Sequence, residues 1–264
     1  MRSGPRLLLN FAEVELWPAD LLKARNNHHA RALSQARWGI RRKQDGRYLA
    51  AVTYDSAHVF PLVPSLEREP GVDPALAKLR TMRFGPTQPH GYSGTHPSHL
   101  HHLHRQLGSL GIDANEYQRH SGLHIIPEPL WLSFAGFDRY RRPLWLTRGA
   151  SDSWNRMRHA AACDDVMLEA ISGYRSHDYQ LAIFKRKLAN GQALAHILNV
   201  NAAPGYSEHH SGNALDLSTP GQPPIEESFE NTEAFAWLTL HAADHGFRMS
   251  YPRDNPHRVI YEPW

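Results

Sequence analysis

The chain has 264 residues, 41% of them apolar and 10% aromatic, enough to bury one large core or two ordinary ones and too much for a wholly disordered polymer. Its 29 Lys and Arg against 26 Asp and Glu leave a formal net charge of +3, too small to demand a nucleic-acid partner. A single cysteine, Cys163, excludes an internal disulfide and any zinc site built on paired thiolates, so a metal here needs carboxylate and some of the 19 histidines.

The apolar run Leu7-Leu8-Leu9 is too short for a secretory core or a membrane span, so neither an export signal nor a transmembrane segment is read. Basic side chains lead through residue 119 and acidic ones lead from 120 onward. That shift divides the chain into an N-terminal region, 1–119, without an assigned role, and a second unit, 120–264. Trp17-Pro18-Ala19-Asp20 reads as a helix cap. Lys43-Gln44-Asp45-Gly46 reads as the turn of a hairpin between strands at 38–42 and 48–54. Prolines and glycines recur over 61–97, including Arg83-Phe84-Gly85-Pro86 and Pro89-His90-Gly91-Tyr92, which predicts loop or linker.

Ser98 can cap a helix that runs to Leu110 and stops at Gly111. On it His101 and His104 share one face and His99 and His102 another. No carboxylate lies near them in sequence, so a polar helix surface is the reading rather than a metal site. Asp152-Ser153 precedes Trp154, Met157 and Ala161, the pattern of a capped amphipathic helix ending near Asp164. Residues 166–171 read as a strand closed by Ser172-Gly173. Ser176 can cap the next helix, with Tyr179, Ala182, Ile183 and Leu188 on one side and Asn190-Gly191 at its end. Arg175 therefore lies at a strand-to-helix junction. Asn231-Thr232 starts another helix, with Phe235, Leu238 and Ala242 inward and Gly246 as its stop, and two short strands are expected at 247–251 and 258–262. Strands and helices without regular βαβ alternation give an α+β class.

The segment Gly205-Tyr206-Ser207-Glu208-His209-His210-Ser211-Gly212-Asn213-Ala214-Leu215-Asp216 contains Ser-x-His-x-x-Gly-x-Ala-x-Asp. A His and an Asp at this spacing can hold one ion if the chain turns at Gly212 and returns as a strand, with Ala214 small enough for close backbone passage. The segment resembles the signature of the LAS metallopeptidases: zinc D-Ala-D-Ala carboxypeptidases and dipeptidases, phage endolysin peptidases and hedgehog domains. The resemblance implies that His209 and Asp216 are two of three zinc ligands, that Ser207 lies close to substrate, and that the fold is a small antiparallel sheet flanked by helices.

Two further blocks stand in the family's order. Ser172-Gly173-Tyr174-Arg175-Ser176, with Gln180 downstream, resembles the motif whose Arg meets the carboxylate end or a carbonyl oxygen of the peptide, which implies that Arg175 and Gln180 bind substrate. A guanidinium suits that task because its fixed fork can donate two parallel hydrogen bonds. An Arg at a helix start opposes the helix dipole, so an anion is expected beside it. Tyr261-Glu262-Pro263-Trp264 resembles the family's closing Glu-x-Trp-His, in which the Glu, here Glu262, is the general base. The family's third ligand would be the residue after Trp264, and the expectation is a chain cut just before it rather than a natural variant. Residues 137–146 resemble a lead-in hairpin that some relatives have.

The resemblance covers 120–264 and implies Zn2+-dependent hydrolysis of peptidoglycan stem peptides, chiefly removal of C-terminal D-Ala, in the periplasm or cell envelope. An endolysin-like endopeptidase, with residues 1–119 helping to hold the wall, is one alternative. A non-catalytic module that binds wall peptide or a partner is another, and Glu262 argues against it. A nucleic-acid module is set aside because Arg41-Arg42-Lys43 is short and no recognition motif accompanies it.

Overall fold

Near-continuous burial along the first strands places them in a sheet covered on both faces. Leu7–Asn10 (β1), Val14–Pro18 (β2), Trp38–Arg42 (β3), Tyr48–Val52 (β4) and Val59–Pro61 (β5) pair antiparallel in succession. Trp131–Phe137 (β6) and Pro143–Leu146 (β7) continue the same sheet beyond β1, giving the order β5-β4-β3-β2-β1-β6-β7. The computed structural model describes residues 6–55, 58–82, 97–257 and 259–264.

Successive side chains of a strand point to opposite faces, and both faces of this sheet are covered. On one face Leu7, Leu9, Leu16 and Ile40 pack against Val72, Ala75, Leu76 and Leu79 of a helix, Val72–Thr81. On the other, Leu8, Leu132 and Trp145 pack with Trp17, Phe134 and Tyr174. Asn27–Ser34 (α1) covers the outer part of this second face over Tyr48 and Ala51. The helix at 72–81 (α2) lies where proline and glycine content predicts loop. Gly71 at φ 80° precedes it, and Pro74 falls in the first turn, where its missing N–H is tolerated. The apolar spacing 72, 75, 76, 79 then buries one face. The stretch 83–96, also expected as loop, lies outside the described residues.

Pro97–Ser109 (α3) and Ala114–Ser121 (α4) pack with His177–Ala189 (α6) and Leu194–Val200 (α7) through Leu103, Leu107, Ile112, Phe184, Ile197 and Tyr206. Gly111 follows α3 at φ 79°, while the side chains of Ser98 and His99 lie outside those described. A third core joins β6 and β7 to Arg148–Cys163 (α5) and Glu233–His241 (α8) through Leu144, Leu146, Trp154, Met157, Ala161 and Trp237. Beneath it Glu169–Ser172 (β8) and Asp216–Ser218 (β9) form a two-stranded antiparallel sheet. The class is α+β. The large sheet crosses residue 119, because Leu8 pairs with Leu132, and α3 and α4 pack on helices from the second half. Among the described residues no helix is long and apolar enough to cross a membrane.

Three local expectations change. Thr147, not Asp152, caps α5, because its side chain accepts from Ala150 N and starts the helix more than a turn earlier. Residues Ala19–Leu21 form only a 3-10 turn with no side-chain cap. At 247–251 and 259–262 no strand forms. Pro252, Pro256 and Pro263 supply no N–H and Asp254 turns the chain at φ 65°, which leaves Glu262 N donating to Tyr251 O at 3.0 Å in place of a ladder.

One buried carboxylate ties the two halves together. Glu128 accepts from Lys43 Nζ, from Asn10 Nδ2 at 3.0 Å, from Tyr174 O–H at 3.1 Å and from the backbone N–H of His177 at 2.5 Å. Burial alone would raise its pKa, but the charges of Lys43 and His177 and the hydrogen bonds outweigh that and hold the carboxyl far below the usual range. Lys43→Met would leave this carboxylate buried without its main counter-charge, so unfolding free energy in a urea titration should fall by about 3–5 kcal/mol. A depressed folded pKa means the contribution is complete above the ordinary value of 4.5 and is lost as pH falls from there. Glu128→Gln should therefore make the acid limb of the stability curve shallower.

Candidate active site

The turn after β8 is fixed by close packing. A Cβ on Gly173 would stand 2.8 Å from Leu144 Cδ1 and 3.0 Å from the carbonyl oxygen of Trp145, so only glycine lets β8 pass β7 here. Ser176 then caps α6, its hydroxyl accepting from Tyr179 N at 3.1 Å. Between them Arg175 donates from Nη1 to Gln180 Oε1 at 2.9 Å. The amide of Gln180 is itself anchored by donation to Ala202 O at 2.9 Å. Gln180 is 1% exposed and both ends of its amide are engaged within the protein, so it positions the arginine. The anion expected near Arg175 is Asp216, with Oδ2 3.9 Å from Nη2.

The second motif folds as its spacing requires. Residues Glu208–Ser211 make a 3-10 turn, Gly212 reverses the chain at φ 70°, and Asp216 opens β9 opposite Ser172. A Cβ at Gly212 would meet Leu132 Cδ2 at 2.6 Å, a second reason for glycine. His209 and Asp216 meet, Nε2 to Oδ1, at 3.3 Å. His209 Nδ1 lies 2.8 Å from Gly173 O, which makes Nδ1 the donor there and turns Nε2 toward the carboxylate. The Ser172 hydroxyl donates to Asp216 Oδ2.

Burial works against an imidazolium at His209, yet the adjacent Asp216 carboxylate prevails and raises its pKa. Burial likewise opposes a charged Asp216, and His209, Ser172 and Arg175 lower it overall. A buried pocket that favours positive charge between an imidazole nitrogen and a carboxylate oxygen also suits a divalent cation taking the place of that proton. The pair fits two positions of a zinc site. Among the described residues no group of three His, Cys, Asp or Glu gathers as a metal cage. His101, His102 and His104 are exposed on α3.

Arg175, Gln180, Ser207, His209, Asp216 and Glu262 all line one cavity of about 370 Å³. Burial, with the like charges of Asp216 and Glu208, pushes Glu262 up to about 7, the range in which a carboxylate can both take and return a proton near neutral pH. Residues 143–264 match the family model VanY: D-alanyl-D-alanine carboxypeptidase.

That match takes in a little under half of the chain. YodJ of Bacillus subtilis is 32% identical over 132 residues, which are 48% of this chain and 48% of that protein. The D-alanyl-D-alanine carboxypeptidase of Enterococcus faecalis is 33% identical over 115 residues, 40% of this chain and 41% of that protein. The chain thus spans about half the length of the first of these and less of the second. A solved vancomycin-resistance D,D-pentapeptidase VanY, a mutant in complex with Zn(II), aligns at 28% identity over 46% of this chain and 71% of that one, with a TM-score of 0.39.

Several residues of the matched stretch carry the site without standing out in sequence. His210 accepts from Gly205 N at 3.1 Å through Nε2 and donates from Nδ1 to Arg175 O at 2.6 Å. It is a neutral staple between the two motifs, its pKa driven well down by burial. Ser172 belongs to a recognised block, but its bond to Asp216 depends on strand register. Lys187 brings a second cation to the cavity, seven residues after Gln180 on one side of α6. Zinc titrated by calorimetry should bind more than about 100-fold more weakly to His209→Ala or Asp216→Asn, and about 10-fold more weakly to Ser172→Ala, which loses only the bond that orients the carboxylate.

Proposed function

We propose that this chain is a zinc-dependent carboxypeptidase that removes C-terminal D-Ala from peptidoglycan stem peptides, and that it works outside the cytoplasmic membrane, where such peptides are. One observation carries the reading: a half-buried carboxyl with a pKa near 7, a His–Asp pair suited to a cation and an anchored arginine share a single cavity.

His209 Nε2 and Asp216 would hold the zinc. When bound, the metal supplies Lewis acidity toward a carbonyl oxygen and makes water acidic enough to give up a proton near neutral pH. Glu262 accepts the proton of the attacking water and returns it to the leaving amine, so no covalent acyl-enzyme is needed. Arg175 pairs with the terminal carboxylate or a carbonyl oxygen, and Gln180 keeps its guanidinium in place. A peptide lacking that carboxylate would leave a part-buried guanidinium unpaired, which is the source of selectivity for a free C-terminus.

A pentapeptide stem ending in D-Ala-D-Ala should release D-Ala in the presence of zinc. Glu262→Gln should lower kcat by about 10²–10⁴-fold with zinc still bound. A rate within a few fold of the parent would remove Glu262 from the mechanism. Arg175→Ala should cost more kcat/KM on the free-acid peptide than on its C-terminal amide, and equal losses would show that the arginine does not read the carboxylate.

A further inference from the structure

The groups that share the cavity are not held alike. Arg175 is anchored by Gln180 and Asp216 by Ser172, but among the described residues the carboxyl of Glu262 receives no hydrogen bond and enters no ion pair. Its place is set by the backbone that carries it. No strand runs through that segment, so pairing in a sheet does not fix it either. From Tyr251 to Glu262 the chain makes a loop closed at its neck by Glu262 N donating to Tyr251 O at 3.0 Å. Tyr251, Val259, Ile260 and Glu262 all line the cavity, so this loop is one of its walls.

Two side-chain pins hold the loop. The first is a closed triad built on Glu230, in the 3-10 turn Glu227–Asn231, whose Phe229 is buried in the core that also receives Trp264. Arg253 Nη2 donates to both carboxylate oxygens of Glu230, at 2.9 and 2.8 Å, and the Tyr261 hydroxyl donates to Oε2 at 2.9 Å. The Arg253 guanidinium lies 4.0 Å from the centre of the Tyr261 ring. Each member therefore touches the other two. Arg253 follows Tyr251 by two residues and Tyr261 immediately precedes Glu262, so the triad grips both arms of the loop beside its neck. The side chains of Arg253 and Glu230 are 58% and 31% exposed, a setting in which a lone ion pair contributes little. Here the pair is joined by a hydrogen bond and a ring contact that close the network. The second pin lies farther along the loop, where His257 Nδ1 donates to Ser121 O at the end of α4, 3.1 Å away, and the His257 ring meets that of Tyr251 edge-on.

We infer that Glu230, Arg253 and Tyr261 are positioning residues for Glu262, an ionic clamp that sets where its carboxyl stands in the cavity, with His257 as the second fixed point. The work assigned to Glu262 rests on the carboxypeptidase reading. The clamp itself touches none of the cavity lining except through the loop.

Glu230→Gln and Arg253→Gln break the clamp and leave every lining side chain in place. With zinc and the pentapeptide, each should lower kcat about five- to tenfold and keep KM within about twofold, because Arg175 and Gln180 sit on other elements. The charge-swapped double variant, Glu230→Arg with Arg253→Glu, should recover most of that loss. Amide hydrogen exchange of the full chain gives a readout that needs no turnover. Glu262 N–H should exchange about five- to tenfold faster in each single variant and near the parental rate in the swap, while Arg175 N–H, bonded to His209 O at 3.2 Å, keeps its rate. Unchanged exchange at Glu262 in both single variants, or a loss of kcat that the swap does not recover, would overturn the clamp. Faster exchange in a chain that never releases D-Ala would sink the hydrolase reading and leave the clamp standing. Release at the parental kcat in both variants, with exchange unchanged, would do the reverse.

Discussion

Glu128 stands where β1, the end of β3 and the first turn of α6 converge, and the geometry of everything around Arg175 follows from its burial. A carboxylate out of water is tolerated only when its lone pairs are filled and its charge is balanced. Lys43 and Asn10 meet that demand from the sheet, and Tyr174 and the backbone of His177 meet it from the turn that carries Arg175. Tyr174 and His177 flank Arg175 in sequence, so the arginine is held from both sides by bonds that end on a residue of neither motif. The two sequence motifs are local, but the turn that carries Arg175 is also held by bonds to the N-terminal strands through Glu128.

Within the cavity, charge is arranged so that one carboxyl differs from its neighbours. Asp216 lies between His209 and Ser172 with Arg175 close by, and remains ionised despite burial. Glu262 shares the same space, but there burial and the negative charges of Asp216 and Glu208 outweigh the pull of His209 and Arg175 and oppose its ionisation. On the proposed reading, these two acids in one pocket take different work, one to grip a cation and the other to exchange a proton.

The site was legible in sequence to the extent that it is local. The Ser-x-His-x-x-Gly-x-Ala-x-Asp spacing requires a tight reversal at Gly212 and a returning strand, and both are present. The junction at Arg175 and the Ser176 cap follow from a strand-to-helix pattern that is just as local. Residues joined only by the fold gave no such signal. Lys43 and Glu128 are 85 positions apart, Asn10 and Glu128 118, and nothing near any of them in sequence announces the pairing. Helix α2 was hidden for a different reason: its flanking prolines and glycines outweighed a four-residue apolar stripe. The closing strands failed because proline removed the donors that alternation of side chains presupposes.

The pairing of β1 with β6 also bears on how such a unit can be inherited or cut. A fragment starting at residue 120 would carry β6 as a bare edge, its backbone N–H and C=O groups without neighbours, beside an uncovered Leu132 and Trp145. Unprotected hydrophobic edges invite intermolecular strand addition and aggregation. The first strands therefore close the outer edge of β6 and cover its apolar face, and shuffling the two segments apart would require a substitute strand.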